Sequence, residues 1–150
     1  MKKKFILFLI VFFTLSNCGY NPIYSNQSKI NFNLMINEIN GDEVMNNIVR
    51  SQIKKYENIS KEKTTSLNIK TAYSKDILSK NKKGEITNYL IKMEIEFEDI
   101  SSKNKKYNFK EETKTSSMSN KFELKKYENT IINNFISNQL EKFILKINSL

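Results

Sequence analysis

Apolar and polar residues alternate through KINFNLMIN, where Ile30, Phe32, Leu34 and Ile36 share one parity and Asn31, Asn33 and Asn37 the other. A period of two predicts a strand with one buried face and leaves Met35 as the one apolar residue on the outer side. Gly41-Asp42 then turns the chain and the period changes. In DEVMNNIVRSQIKKYEN, Val44, Met45, Ile48, Val49, Ile53 and Tyr56 recur at helical spacing, with Asp42 and Glu43 in the first turn and Lys54 and Lys55 in the last, as the helix dipole favours.

Alternation returns in SLNIKTAY, with Leu67, Ile69, Thr71 and Tyr73 on one face. The polar turn SKNKKGE separates it from a long alternating run of Tyr89, Ile91, Met93, Ile95 and Phe97, which predicts a hairpin. KYNFKEETKTS adds a third strand of the meander, largely polar, with Tyr107 and Phe109 inward and lysines guarding an edge. From about Phe122 to Asn148 the period is helical again. Tyr127, Ile131, Phe135, Leu140, Phe143 and Ile147 form the expected buried stripe, widened by Ile132, Ile136 and Ile144.

The order β-α-β-β-β-α predicts an α+β two-layer sandwich: a four-stranded mixed sheet with two helices on one face, the first helix serving as a right-handed crossover. The other face is then polar and wet. It could dock a partner, although polar alternation by itself mostly means solvent.

The start of the chain follows a different pattern. Lys2, Lys3 and Lys4 precede FILFLIVFFTL, an uncharged run of about 11 residues that fits a signal-peptide h-region and falls short of the roughly 20 needed for a membrane-crossing helix. A buried core helix or a short anchor is the alternative, but three flanking lysines and apolar residues on every face argue against a core helix. Leu15-Ser16-Asn17-Cys18 follows, ending on the chain's only cysteine. It resembles the lipobox of bacterial lipoproteins, in which the cysteine thiol takes a diacylglycerol and the chain is cut just before it, here between Asn17 and Cys18. Asn17 stands where a small residue is usual. Two or three acyl chains anchor stably where one is marginal. The alternative is a free cysteine near a conventional cleavage site, a liability in an oxidising compartment.

The expected organisation is therefore a lipoprotein signal peptide at 1–17, a lipidated tether at 18–29 and one domain at 30–150, which suits a chain of 150 residues. Gly19 follows the anchor where Asp commonly retains such proteins at the inner membrane, so the expected location is the periplasmic side of the outer membrane.

Charge and composition narrow the function. The formal charge is +9, but only Arg50 among the cations is arginine, and abundant lysine, asparagine and isoleucine reflect an AT-rich coding bias as much as an anionic partner. Loss of Lys2, Lys3 and Lys4 would leave +6 on the mature side chains. With no histidine and one cysteine, His/Cys metal sites and Ser-His-Asp or Cys-His nucleophiles are excluded. Gly19, Gly41 and Gly84 lie too far apart for a phosphate-cradling loop. No cofactor, metal or enzymatic activity is expected.

Two charged groups remain as candidates. Glu94, Glu96 and Glu98 share one face of a strand, where Lys106 and Lys110 can stand opposite as exposed pairs. Lys80, Lys82 and Lys83 cluster at the hairpin tip, able to grip the phosphates of an anionic lipid or simply to keep a turn soluble. Lysines interleave with aromatics at YNFK, but Tyr107 and Phe109 have core parity, so a nucleic-acid platform is not expected.

CGYNPIY, residues 18 to 24, resembles the start of mature lipopolysaccharide-assembly lipoproteins of the LptE family in their alphaproteobacterial form, through Cys18, Gly19, Tyr20, Pro22, Ile23 and Tyr24. Ser25 stands where a glycine often follows. The element order is similar over essentially the whole mature chain. The resemblance implies a non-enzymatic subunit that plugs and helps assemble the LptD β-barrel, binds lipopolysaccharide and assists its insertion into the outer leaflet; positive charge fits the phosphates of lipid A. Only Cys18 carries over by motif. An accessory lipoprotein of another outer-membrane machine, such as one for barrel insertion, and a secreted hydrolase built on carboxylates alone are the competing readings.

Overall fold

The computed structural model describes residues 32–59 and 63–148. Ile30, the signal and lipobox residues including Asn17 and Cys18, and the tether lie outside the described residues. Among the described residues no helix is long and apolar enough to cross a membrane, which leaves strand-built barrels unaddressed.

The elements are β1 (Asn33–Gly41), α1 (Glu43–Ile53), a 3-10 turn (Lys54–Tyr56), β2 (Thr64–Lys80), β3 (Ile86–Asp99), β4 (Lys105–Ser116) and α2 (Lys121–Asn148). Their order is the expected β-α-β-β-β-α. The sheet runs β1-β2-β3-β4, with β1 parallel to β2 and the other pairs antiparallel, so it is mixed and β4 is an edge.

β1 buries Leu34 and exposes Met35, as alternation requires. Beyond the predicted end the strand continues through a bulge: Ile36 stands opposite Leu67, Asn37 is skipped, and Ile39 stands opposite Ile69. One extra residue returns Ile39 to the side of Ile36. Gly41 then takes φ +115°, and a Cβ there would lie 1.8 Å from the Thr71 carbonyl oxygen, so close approach and dihedral both demand glycine. Asp42 caps α1, its Oδ1 accepting from the Met45 N–H at 2.9 Å. Met45, Val49 and Ile53 are buried. Val44, expected in that stripe, is 46% exposed because the helix turns it toward an open cleft.

Register sorts the helix-facing side into rows. Ile69, Phe97 and Tyr107 form one, then Thr71, Ile95 and Phe109, then Tyr73, Met93 and Glu111, then Lys75, Ile91 and Thr113, then Ile77, Tyr89 and Thr115. α2 lies along these rows. Phe143 stacks on Phe97 at 4.6 Å between centroids and meets Tyr107 edge-on at 5.2 Å, whereas Glu128 sits at Lys75 and Tyr73. The helix therefore starts near the hairpin tip and ends near the first row. Its 28 residues span about 42 Å, while the 17 of β2 reach about 56 Å. The tip of the hairpin projects past its cover.

The stripe of α2 is rotated from the expected one. Leu124, Ile132, Phe135, Ile136, Leu140, Phe143, Ile144 and Ile147 are buried with Gln139, Ile131 is half-buried, and Tyr127 points outward. Ile131 and Ile132 offer two neighbouring stripes, and contact with α1 decides between them. The buried Gln52 of α1 donates to Asn133 Oδ1 at 2.9 Å and Ser137 Oγ at 2.8 Å, fixing that choice.

Candidate functional site

Functional potential concentrates at the hairpin end. Asn120 starts α2 there, its Oδ1 accepting from the N–H groups of Phe122 at 2.9 Å and Glu123 at 3.3 Å. Ser117 N–H donates to the Thr87 carbonyl at 2.7 Å, tying the segment before the helix to β3. A cleft of about 390 Å³ opens between the start of α1, the sheet and the first turns of α2, with Val44, Tyr73, Tyr89, Leu124 and Ile132 among its walls and Lys121 and Lys125 beside them.

On the sheet side of this cleft, Lys75 pairs with Glu128, the two side chains being 25% and 14% exposed. The Lys75 ammonium also lies 4.3 Å from the centroid of the Tyr89 ring. Tyr73 donates its hydroxyl to Glu128 Oε2 at 3.5 Å. Burial, reinforced by the negative charge of Glu128, its hydrogen bond and the charge of Asp42, pushes the Tyr73 phenol up to about 12. At neutral pH the Tyr73 phenol is therefore protonated, and it stands beside the Lys75–Glu128 ion pair. The cluster fastens α2 to the sheet.

Beyond the cleft, the turn from Asn81 to Glu85 is organised by Asn81. Its Oδ1 accepts from the N–H groups of Lys83 at 2.9 Å and Glu85 at 3.0 Å, and its Nδ2 donates to Glu85 Oε2 at 2.6 Å. Gly84 has φ +81° with open space around it. Lys82 and Lys83 project from this turn and Lys80 from the last position of β2, all exposed. Among the described residues no carboxylate lies within ion-pair distance of any of the three. The structure places all three at the hairpin end.

Around them lie side chains that alternation alone did not flag. Ile77, Leu78, Met118 and Phe122 are exposed, Phe122 by 72%. Leu78 shares the parity of Ser74 and Asp76, away from the helices, and falls in a bulge between Ile77, opposite Tyr89, and Ser79, opposite Asn88. Lys75 could have been noticed, because it occupies a core-parity position between Tyr73 and Ile77. Its partner could not, since Glu128 lies 53 residues away.

The three glutamates belong to the opposite, wet face. Lys110 lies 3.0 Å from Glu94, and Lys106 lies 3.5 Å from Glu96 and 3.6 Å from Glu98. Hydrogen bonds from Asn108, then Lys110, hold the Glu94 carboxyl below its ordinary value, and one from Asn68 does the same for Glu98. Carboxylate hydrolysis needs one acid shifted upward; these two are shifted downward. Among the described residues no group of three or more His, Cys, Asp or Glu side chains could hold a metal ion.

No family model and no curated relative matches the chain. Solved structures do. Rare lipoprotein B from Shewanella oneidensis superposes with a TM-score of 0.53 at 10% identity, over 76% of this chain and 96% of that one. An uncharacterized lipoprotein B from Nitrosomonas europaea superposes with a TM-score of 0.51 at 10% identity, over 80% of this chain and 84% of that one. The described domain has the fold of these lipoproteins.

Proposed function

We propose that the protein is a lipid-anchored subunit of the lipopolysaccharide-assembly machine, a member of the LptE family acting without catalytic chemistry. The observation that carries this reading is a lipoprotein B fold in a chain whose start resembles a lipobox and continues as CGYNPIY. In this reading Cys18 holds the mature chain on the periplasmic side of the outer membrane. The domain plugs an LptD-type β-barrel and helps it assemble. Lys80, Lys82 and Lys83 receive the phosphates of lipid A, a role supported by their exposure and by the lack of any competing carboxylate among the described residues.

Affinity purification from membranes tests the partner. Recovery with an LptD-type barrel is the expected result; recovery with a barrel-insertion complex and no such barrel refutes the reading in favour of the accessory-lipoprotein alternative. Mass spectrometry of the same material should find the N-terminus at an acylated Cys18. Replacing Lys80, Lys82 and Lys83 together by Gln should weaken lipopolysaccharide binding with an unchanged far-UV spectrum, and unaltered binding removes those lysines from the site.

A further inference from the structure

The cleft between the start of α1, the sheet and the first turns of α2 holds about 390 Å³, more than twice the space of about 150 Å³ that admits benzene in an apolar cavity. Val44, Tyr73, Tyr89, Leu124 and Ile132 make its walls largely apolar. The charged groups around it fall into two sets. On the sheet side, Lys75 and Glu128 hold each other, Tyr73 donates to Glu128, and Asp42 caps the Met45 N–H. Lys121 and Lys125, one turn apart on the same side of α2, are exposed, and among the described residues no carboxylate lies within ion-pair distance of either.

These walls select an occupant by three properties. Two unengaged ammonium groups favour an anionic head over a neutral or cationic one. Lys75, Glu128 and Tyr73 already serve one another, so a peptide would bury backbone N–H and C=O groups without partners there, whereas a hydrocarbon chain has none to match. At about 30 Å³ per water-sized group, the 390 Å³ takes roughly a dozen methylenes, which is one acyl chain and not the two of a phospholipid. We propose that the cleft binds a single-chain fatty carboxylate of about twelve carbons, its chain along Val44, Tyr89, Leu124 and Ile132 and its head between Lys121 and Lys125. This ligand goes beyond the lipid A phosphates assigned to Lys80, Lys82 and Lys83. The cleft lies within one compact unit, so binding there needs neither a barrel nor a second membrane contact.

Photo-crosslinking of the full-length protein in native membranes tests this. Dodecanoate with a diazirine in its chain is added, the sample is illuminated, and modified peptides are mapped by mass spectrometry. Label is expected at the cleft positions of α1, β2, β3 and α2, and not in the turn between β3 and β4. Excess plain dodecanoate should remove it; dodecyltrimethylammonium, with the same chain and the opposite head, should not. Lys121→Gln with Lys125→Gln should cut the cleft label about tenfold at limiting probe. Val44→Trp, at a half-exposed position on the wall, should abolish it by filling the space. Lys80→Gln with Lys82→Gln and Lys83→Gln should leave it unchanged. Label spread evenly over the domain, equal competition by the cation, or label that survives both the Lys121, Lys125 pair and Val44→Trp overturns the proposal. So does cleft label displaced by dispersed lipid A but not by plain dodecanoate, a result that would assign the cleft to lipopolysaccharide. The expected pattern in a chain that recovers no LptD-type barrel upholds this proposal while the assembly reading fails.

Discussion

The two ends of one sheet differ in what covers them. At the Phe97 row, α2 closes over the strands, and Phe97, Tyr107 and Phe143 make a stacked and edge-on aromatic cluster with Phe97 and Phe143 fully buried. At the Ile77 row the helix has nearly run out, β2 bulges just beyond it, and Ile77 and Phe122 stand exposed. Alternation prepares a face for burial; the length of the covering helix decides how much of it becomes core. The closed end holds the fold, and the open end is free to be a surface.

That contrast is most sharply tested by two phenylalanines of the same helix. Phe143→Ala removes the stacked partner of Phe97 and should lower the unfolding free energy by about 3–5 kcal/mol. Phe122→Ala should stay within about 0.5 kcal/mol of the parent, because the side chain already stands in solvent. Urea unfolding of both variants measures the difference; comparable losses would mean that the helix covers both ends equally.

Two glycines with positive φ give the next contrast. Gly41→Ala forces a Cβ onto the Thr71 carbonyl as well as an unfavourable dihedral, and should cost about 2–3 kcal/mol. At the hairpin tip, Gly84→Ala meets no neighbouring atom and should cost about 1 kcal/mol through the dihedral alone. Equal effects in urea unfolding would place the strain in φ and none of it in packing.

The legibility of the sequence follows the same division. Leu67, Ile69, Ile91, Met93, Ile95 and Phe97 were readable as core because a strand's period is two and every alternate residue is committed to one face. The stripe of α2 was readable only to within a rotation, since Ile131 and Ile132 are both apolar and the hydrogen bonds of Gln52 to Asn133 and Ser137 are tertiary. The bulges at Asn37 and Leu78 left no local signal, as neither carries glycine or proline. For the candidate site, Lys80, Lys82 and Lys83 were visible as a cluster in sequence. Lys75, Glu128 and Phe122 became neighbours of that end only through α2.

Between the two ends, Glu128 tests how firmly the helix is held as its cover thins. Glu128→Gln leaves Lys75 half-buried without a carboxylate and should cost about 1–2 kcal/mol. It should also lower the Tyr73 phenol from about 12 toward 10, without reaching it because burial persists, an effect readable by ultraviolet titration of the tyrosines. The sign for stability follows from proton binding. A folded-state value above the unfolded one means that the native protein holds the proton longer, so the contribution is intact below about pH 10 and is lost as pH rises from about 10 to about 12. Glu128→Gln should narrow that window.

The smallest effect belongs to the wet face, where the closed and open ends look alike. Glu94 accepts from Asn108 at 2.7 Å and pairs with Lys110 at 3.0 Å, but solvent reaches both partners of the ion pair. Glu94→Gln keeps an amide oxygen able to accept from Asn108 and loses only a screened charge, so the change should be a few tenths of a kcal/mol at most. It should shrink further in 1 M salt, where the Debye length is about 3 Å. Because the folded-state carboxyl lies below its ordinary value, whatever Glu94 contributes is present above the usual carboxylate range and lost as pH falls through its lowered value. A larger, salt-insensitive loss in thermal unfolding would mean that this face is organised as tightly as the Phe97 end, and that cover by α2 is not what separates the firm part of the sheet from the rest.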